Sequence, residues 1–174
     1  ELSFMQKINS LNVENNVIHI DGLAFIKGMS ASNLDKISIS INTIDNLSKE
    51  VIKTYKTTVS EFDDISFGDT HTYKYIAYSI DMPLSDFVEG SYSLKVSVNN
   101  DGYEYAGELS STKYEFANIN VSYNEMNYRI KINTYYNYRV EIEAESIPEI
   151  IDYSKILKPN NSIRNSLFSF DLIE

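Results

Sequence analysis

Of the two histidines in this 174-residue chain, His71 sits near a group of acids, with Asp63, Asp64 and Asp69 just ahead of it. Carboxylate oxygens beside a ring nitrogen on one loop are the raw material of a metal site. The spacing does not sustain that chemistry. Asp63-Asp-Ile-Ser-Phe-Gly-Asp69 lacks the alternating oxygen ligands of a calcium loop, and one histidine beside aspartates is too little for zinc. The segment reads as an acidic, turn-forming loop. His19 stands between Ile18 and Ile20, so strand alternation puts it on the opposite, solvated face. No serine sits in a Gly-x-Ser-x-Gly elbow, and six glycines form no phosphate-cradling loop. Carboxylate pairs occur in any acidic chain and carry no signal. The expectation is therefore no catalytic residue, no metal and no cofactor.

Tyrosine is the residue type with most to offer a ligand. Tyr73, Tyr75, Tyr103 and Tyr105, with Tyr135, Tyr136 and Tyr138, can stack on the C–H faces of sugar rings while their hydroxyls bond to sugar oxygens. Tyrosines alternating along strands serve more often as core or sheet surface, and tryptophan, common in sugar platforms, is absent. The structural role is thus the first expectation and the platform the second. Any contact with a polyanion is expected at basic positions, namely Lys53, Lys56, Lys131 and Arg139. The net charge is −10, and residues 61–110 hold ten acids against Lys74 and Lys95. Such a surface repels phosphate backbones, which argues against nucleic acid as a partner.

These side chains must be carried by strands. Residues 92–98 read Tyr-Ser-Leu-Lys-Val-Ser-Val, and the two-residue period recurs at least six more times. It predicts strands over 17–26, 35–44, 51–59 (an edge strand), 73–82, 92–98 and 103–109. Gly22 inside the first suggests a bulge or a close backbone approach. Residues 84–90 read as one short helical turn, capped by Ser85 or Asp86 and closed by Gly90. Asn99-Asn-Asp-Gly102 is a hairpin turn. Further alternation follows at Ile119/Val121/Tyr123, at Tyr128/Ile130/Ile132, and at Tyr136/Tyr138/Val140/Ile142. In the last of these Arg139, Glu141 and Glu143 point outward.

The fold class is therefore all-β: an antiparallel, immunoglobulin-like β-sandwich over residues 1–146. Residues 147–174 form a C-terminal extension or linker with a strand-like segment at 167–172. The later strands are expected to complete this sandwich rather than begin a second one. Cysteine is absent and no apolar run is long enough to span a bilayer, so neither disulfides nor direct membrane insertion is expected. No signal peptide is visible, and a start at Glu1 rather than Met suggests a piece of a longer protein.

Three stretches, Asn16-Val-Ile-His-Ile-Asp-Gly22-Leu-Ala-Phe-Ile-Lys-Gly28, Tyr75-Ile-Ala-Tyr-Ser-Ile-Asp81 and Leu84-Ser-Asp-Phe-Val-Glu-Gly90-Ser-Tyr-Ser-Leu-Lys-Val96, resemble a known module. It is the non-catalytic β-sandwich accessory module of Gram-positive teichoic-acid and capsule glycosyl- or glycerophosphotransferases. The resemblance covers roughly residues 15–110, with Phe87 in place of a leucine. It implies a binding or interaction role in cell-envelope polymer biosynthesis, with an envelope glycan or a partner protein domain as ligand. It also implies a place at the cytoplasmic face of the membrane, as part of a larger protein. The transferases' catalytic motifs are absent from this chain. The alternative is a surface-exposed adhesion or carbohydrate-binding domain of a Gram-positive bacterium.

Overall fold

The computed structural model describes residues 1–63, 67–113, 116 and 118–149. The chain opens with a hairpin of β1 (Ser3–Glu14) and β2 (Val17–Lys27), turned by Asn15 and Asn16, both at positive φ. Asparagine tolerates that conformation, which a two-residue hairpin turn demands at both positions. Strand β1 is absent from the expectations above. Its register shifts between Ile8 and Ser10, so Phe4, Gln6 and Ile8 precede the slip while Leu11 and Val13 follow it. One extra residue breaks the period by which a strand is recognised. The slip lies opposite Gly22, where an added Cβ would stand 2.5 Å from the Lys7 carbonyl oxygen and 2.7 Å from the Tyr78 hydroxyl. The close approach expected at Gly22 is present, and the bulge lies on the facing strand β1.

Strand β3 (Ile37–Asp45) follows a 3-10 turn at Leu34–Lys36, so it begins two residues later than expected. The expected edge strand at 51–59 proves to be two strands. β4 (Val51–Lys56) pairs with β3, while β5 (Thr58–Ser60) joins the other sheet beside β6 (Ala77–Pro83). Between them Thr57 is buried, and both its N–H and its hydroxyl donate to the Ile39 carbonyl, at 3.0 and 2.7 Å. The chain thus crosses from one sheet edge to the other without stranding a polar group. Residues 73–76 are not strand. Tyr73 makes only an isolated bridge to Ala31, and the amides of Lys74 and Tyr75 both donate to the Ala31 carbonyl. The alternation there reflects an aromatic side chain tucked against Phe25 and Phe67 rather than a ladder.

The helical turn is 3-10 and spans Leu84–Asp86. It is capped by neither Ser85 nor Asp86. Pro83 precedes it with no side-chain cap, the Phe87 amide closes it onto Leu84, and Gly90 opens the next strand. Asp86 instead accepts from Lys53 Nζ at 2.8 Å and from the Tyr55 hydroxyl at 2.6 Å. β7 (Gly90–Asn100) and β8 (Tyr103–Glu108) are joined by Asp101-Gly102, both at positive φ, as the hairpin signal requires. β9 (Ile119–Tyr123), β10 (Met126–Asn133) and β11 (Arg139–Ser146) follow.

Two antiparallel sheets result, in the manner of a β-sandwich. One has the order β1-β2-β6-β5; the other has the order β4-β3-β7-β11-β10-β9, with β8 paired to β7. The same edge of β7 serves both β8, from Lys95 to Asn100, and β11, from Gly90 to Ser93. Leu109 spans the junction, donating to Leu94 and accepting from Val140, both at 2.8 Å. Strands β9–β11 therefore extend this sheet. Between the sheets lies one core, to which Ile18, Ile20, Ile39, Ile41, Met82 and Leu94 contribute with almost no exposure. Tyr92, Leu94, Val96 and Val98 are buried and Lys95 is exposed, as the period predicts, whereas Ser93 and Ser97 on the other face are buried too, where β7 has strands on both sides. The expected segment 167–172 and most of the C-terminal extension lie outside the described residues.

Candidate functional site

The tyrosines are divided by burial. Tyr73 has no exposed surface, so it cannot offer a ring face to a ligand. Its hydroxyl accepts from the Gly28 amide at 2.8 Å and donates to the Asp69 carboxylate. Burial, with the bond to Asp69, raises the Tyr73 pKa; the same bond holds Asp69 below the usual carboxylate range. Tyr75 is half-buried, with Lys74 Nζ 5.1 Å from its ring centre and its hydroxyl 3.4 Å from Glu61. Tyr103 is exposed and Tyr105 half-buried, both on β8. These four do not form one platform.

The basic candidates are likewise dispersed, and most are engaged. Lys53 is held by Asp86, whose pKa burial raises but which the bonds from Lys53 and Tyr55 bring below the ordinary value. Lys56 is exposed at the end of β4. Only Lys131 and Arg139 are brought together. Arg139 Nε donates to Glu141 at 2.7 Å, and Lys131 Nζ lies 3.8 Å from the same carboxylate. Glu141 is on the outer face as expected, yet it is only 4% exposed. Asn133 also donates to it, at 2.9 Å, so this carboxylate is enclosed by its own partners rather than solvated.

His19 pairs with Asp81 on the outer face of the four-stranded sheet. His71 Nδ1 lies 3.6 Å from Asp69, and Asp64 is outside the described residues. Among the described residues no three His, Cys, Asp or Glu side chains are grouped to hold a metal ion. No helix among them is long and apolar enough to cross a membrane.

Among the described residues the strongest concentration of free aromatic surface is the β10–β11 connection. Tyr135 is 93% exposed, Tyr136 56% and Tyr138 39%. Alternation had placed Tyr136 and Tyr138 on a strand face, but β11 begins only at Arg139. The connection is nonetheless fixed. Asn133 Oδ1 accepts from the Tyr135 amide at 3.0 Å, Tyr136 accepts from the Arg139 amide at 3.0 Å, and Tyr138 accepts from the Ser111 amide at 2.9 Å. Asn137 and Tyr138 take positive φ to turn the chain. The Arg139 guanidinium lies 4.3 Å from the centre of the Tyr136 ring, bracing it from the strand below. The sequence signal was three tyrosines within four residues, between two alternating stretches.

Fold and surface together define an all-β protein of two antiparallel sheets that carries a pinned, tyrosine-rich loop. No protein-family model matches the chain, and neither does any curated protein.

Proposed function

We propose that this chain is a non-catalytic, immunoglobulin-like binding module that holds a bacterial cell-envelope polymer through the Tyr135-Tyr136-Asn137-Tyr138 loop. The observation that carries the reading is the exposure of three tyrosines on a connection whose backbone is already fixed. Ordering costs are paid in advance on such a loop, so contacts made by the rings convert into affinity. Tyrosine offers a large rigid face with a polar tip, which suits a sugar. Support for the immunoglobulin-like assignment comes from Tyr92, whose hydroxyl donates to the Val88 carbonyl at 2.8 Å. That bond has the form of a tyrosine corner near the start of a sandwich strand.

The envelope context rests on the sequence resemblance to accessory modules of teichoic-acid and capsule transferases. In that context the module works as part of a larger protein at the cytoplasmic face of the membrane. It orients polymer for a catalytic domain elsewhere in that protein. A surface-exposed adhesion or carbohydrate-binding domain would use the same loop. Titrating the isotope-labelled chain with envelope glycan fragments tests the reading. Chemical shifts should centre on residues 133–139, and Tyr135→Ala should weaken binding on the order of tenfold. Its stability should change by under about 0.5 kcal/mol. Shifts centred on β4 or β8, with Tyr135→Ala silent, would remove the loop from the site.

A further inference from the structure

The outer face of β9, β10 and β11 carries a shallow groove of about 240 Å³, lined mainly by Asn120, Ser122, Asn127, Arg129, Glu143 and Glu145. We infer that this groove and the tyrosine loop form one track, and that its ligand is an uncharged, hydroxyl-rich chain such as a neutral glycan. The inference rests on the proposed role of the loop and goes further by naming the ligand's charge class and the second contact.

Position supports a single track. Both features belong to β10 and its flanks, and Arg129 stands four residues, roughly 13 Å at the rise of an extended strand, from Asn133, where the tyrosine loop begins. The strip between them is Lys131, Glu141, Asn133 and Arg139. It runs continuously along one sheet face, and an oligosaccharide lying along it would reach from rings to groove. The groove supplies amides, a hydroxyl, carboxylates and a guanidinium, which together can donate to and accept from adjacent sugar hydroxyls.

Charge decides the ligand class. Every cation on the strip already faces a carboxylate. Arg129 lies 3.9 Å from Glu143 and donates to Asn120 at 3.3 Å; Lys131 lies 2.5 Å from Glu143; Arg139 contacts both Glu141 and Glu108. Phosphates could recruit these cations only by drawing them off, and moving Lys131 and Arg139 would strip the enclosed Glu141 of both its cations. Glu145 adds a further negative charge at the far end. A teichoic-acid backbone therefore meets net repulsion, and hydroxyls meet partners.

The test sets neutral glucose, mannose and N-acetylglucosamine hexasaccharides against polyglycerol phosphate, each titrated at low and high salt. The full chain is compared with Tyr135→Ala, Asn127→Ala and Glu145→Gln, after matching melting curves show that all are folded. The expected result is binding of a neutral hexasaccharide that ignores salt, with shifts in both loop and groove. Asn127→Ala should weaken the hexasaccharide several-fold while leaving the corresponding disaccharide, short enough to occupy the loop alone, unchanged. Salt-sensitive binding of polyglycerol phosphate that Tyr135→Ala still abolishes would overturn the neutral ligand and leave the loop's role standing. Shifts confined to residues 133–139, with Asn127→Ala and Glu145→Gln silent, would overturn the track. Failure of every probe to bind would remove both the track and the proposed role of the loop.

Discussion

The hydroxyl of Tyr92 donates to the carbonyl of Val88 across 2.8 Å, and its ring meets Phe87 edge-on at 5.3 Å. One side chain thus ties the start of β7 to the crossing that arrives from the other sheet. Tyr92→Phe keeps the ring contact and deletes the bond. The expected loss is about 1 kcal/mol, the net worth of an ordinary hydrogen bond, read from the denaturant midpoint. A loss near 3 kcal/mol would mean that Val88 has no access to replacement water.

Gly22 and Gly102 separate two reasons for glycine. At Gly22 no positive φ is needed, but an added Cβ meets the Lys7 backbone oxygen at 2.5 Å. A backbone oxygen cannot step aside without moving β1, so Gly22→Ala should cost about 1–3 kcal/mol through overpacking. Gly102 has φ +87 with open space around it. Its alanine variant should cost only about 1–2 kcal/mol, from backbone conformation alone. Deleting the Tyr78 ring in the same chain should recover part of the Gly22→Ala loss and none of the Gly102→Ala loss.

On β7, Leu94 is buried and its neighbour Lys95 exposed. Leu94→Ala should destabilise by about 2–5 kcal/mol. Lys95→Ala should fall within about 0.5 kcal/mol of the parent. Chemical denaturation of the two variants compares these figures directly, and the reverse ranking would invert the strand.

The bond from Tyr73 to Asp69 gives the 67–73 segment a two-sided pH dependence. The folded pKa of Asp69 is lowered, so its contribution is present above the ordinary carboxylate pKa and fades as pH falls through the depressed folded value. The folded pKa of Tyr73 is raised, so its contribution holds below the ordinary tyrosine value near 10 and fades as pH climbs past it. The protection factor of the His71 amide, whose N–H donates to Asp69, should fall as pH drops below the ordinary carboxylate range and fall again above about pH 10. Asp69→Asn should abolish the acid-side change. If the variant kept it, another carboxylate would be responsible.

Strand content was largely readable because β3 and β7 each keep a two-residue period of apolar residues with that face in the core, as β2 does up to Asp21 before its run of buried residues from Gly22 to Ile26. It failed where that period was interrupted or imitated. β1 carries a bulge, so its apolar residues change parity at Asn9. Tyr73 and Tyr75 alternate without belonging to a strand, since the Tyr73 ring is needed against Phe25. The abundance of asparagine has a task in the turns. Asn15, Asn16, Asn124 and Asn137 take the positive φ values for which a chain with six glycines has few other residues.

The sequence alone determined the all-β class, the inward residues of the regular strands and the Asp101-Gly102 hairpin, because each depends on spacing within one segment. The tertiary structure decided which sheet each strand joins. It split residues 51–60 between both sheets at Thr57, and it placed β8 and β11 on one edge of β7. It also decided which tyrosines are free: Tyr73 disappears under Phe67, while Tyr135 is almost fully exposed. Alternation says that a side chain points to one of two faces. What covers each face depends on residues far away in sequence, and only the packed chain brings those into contact.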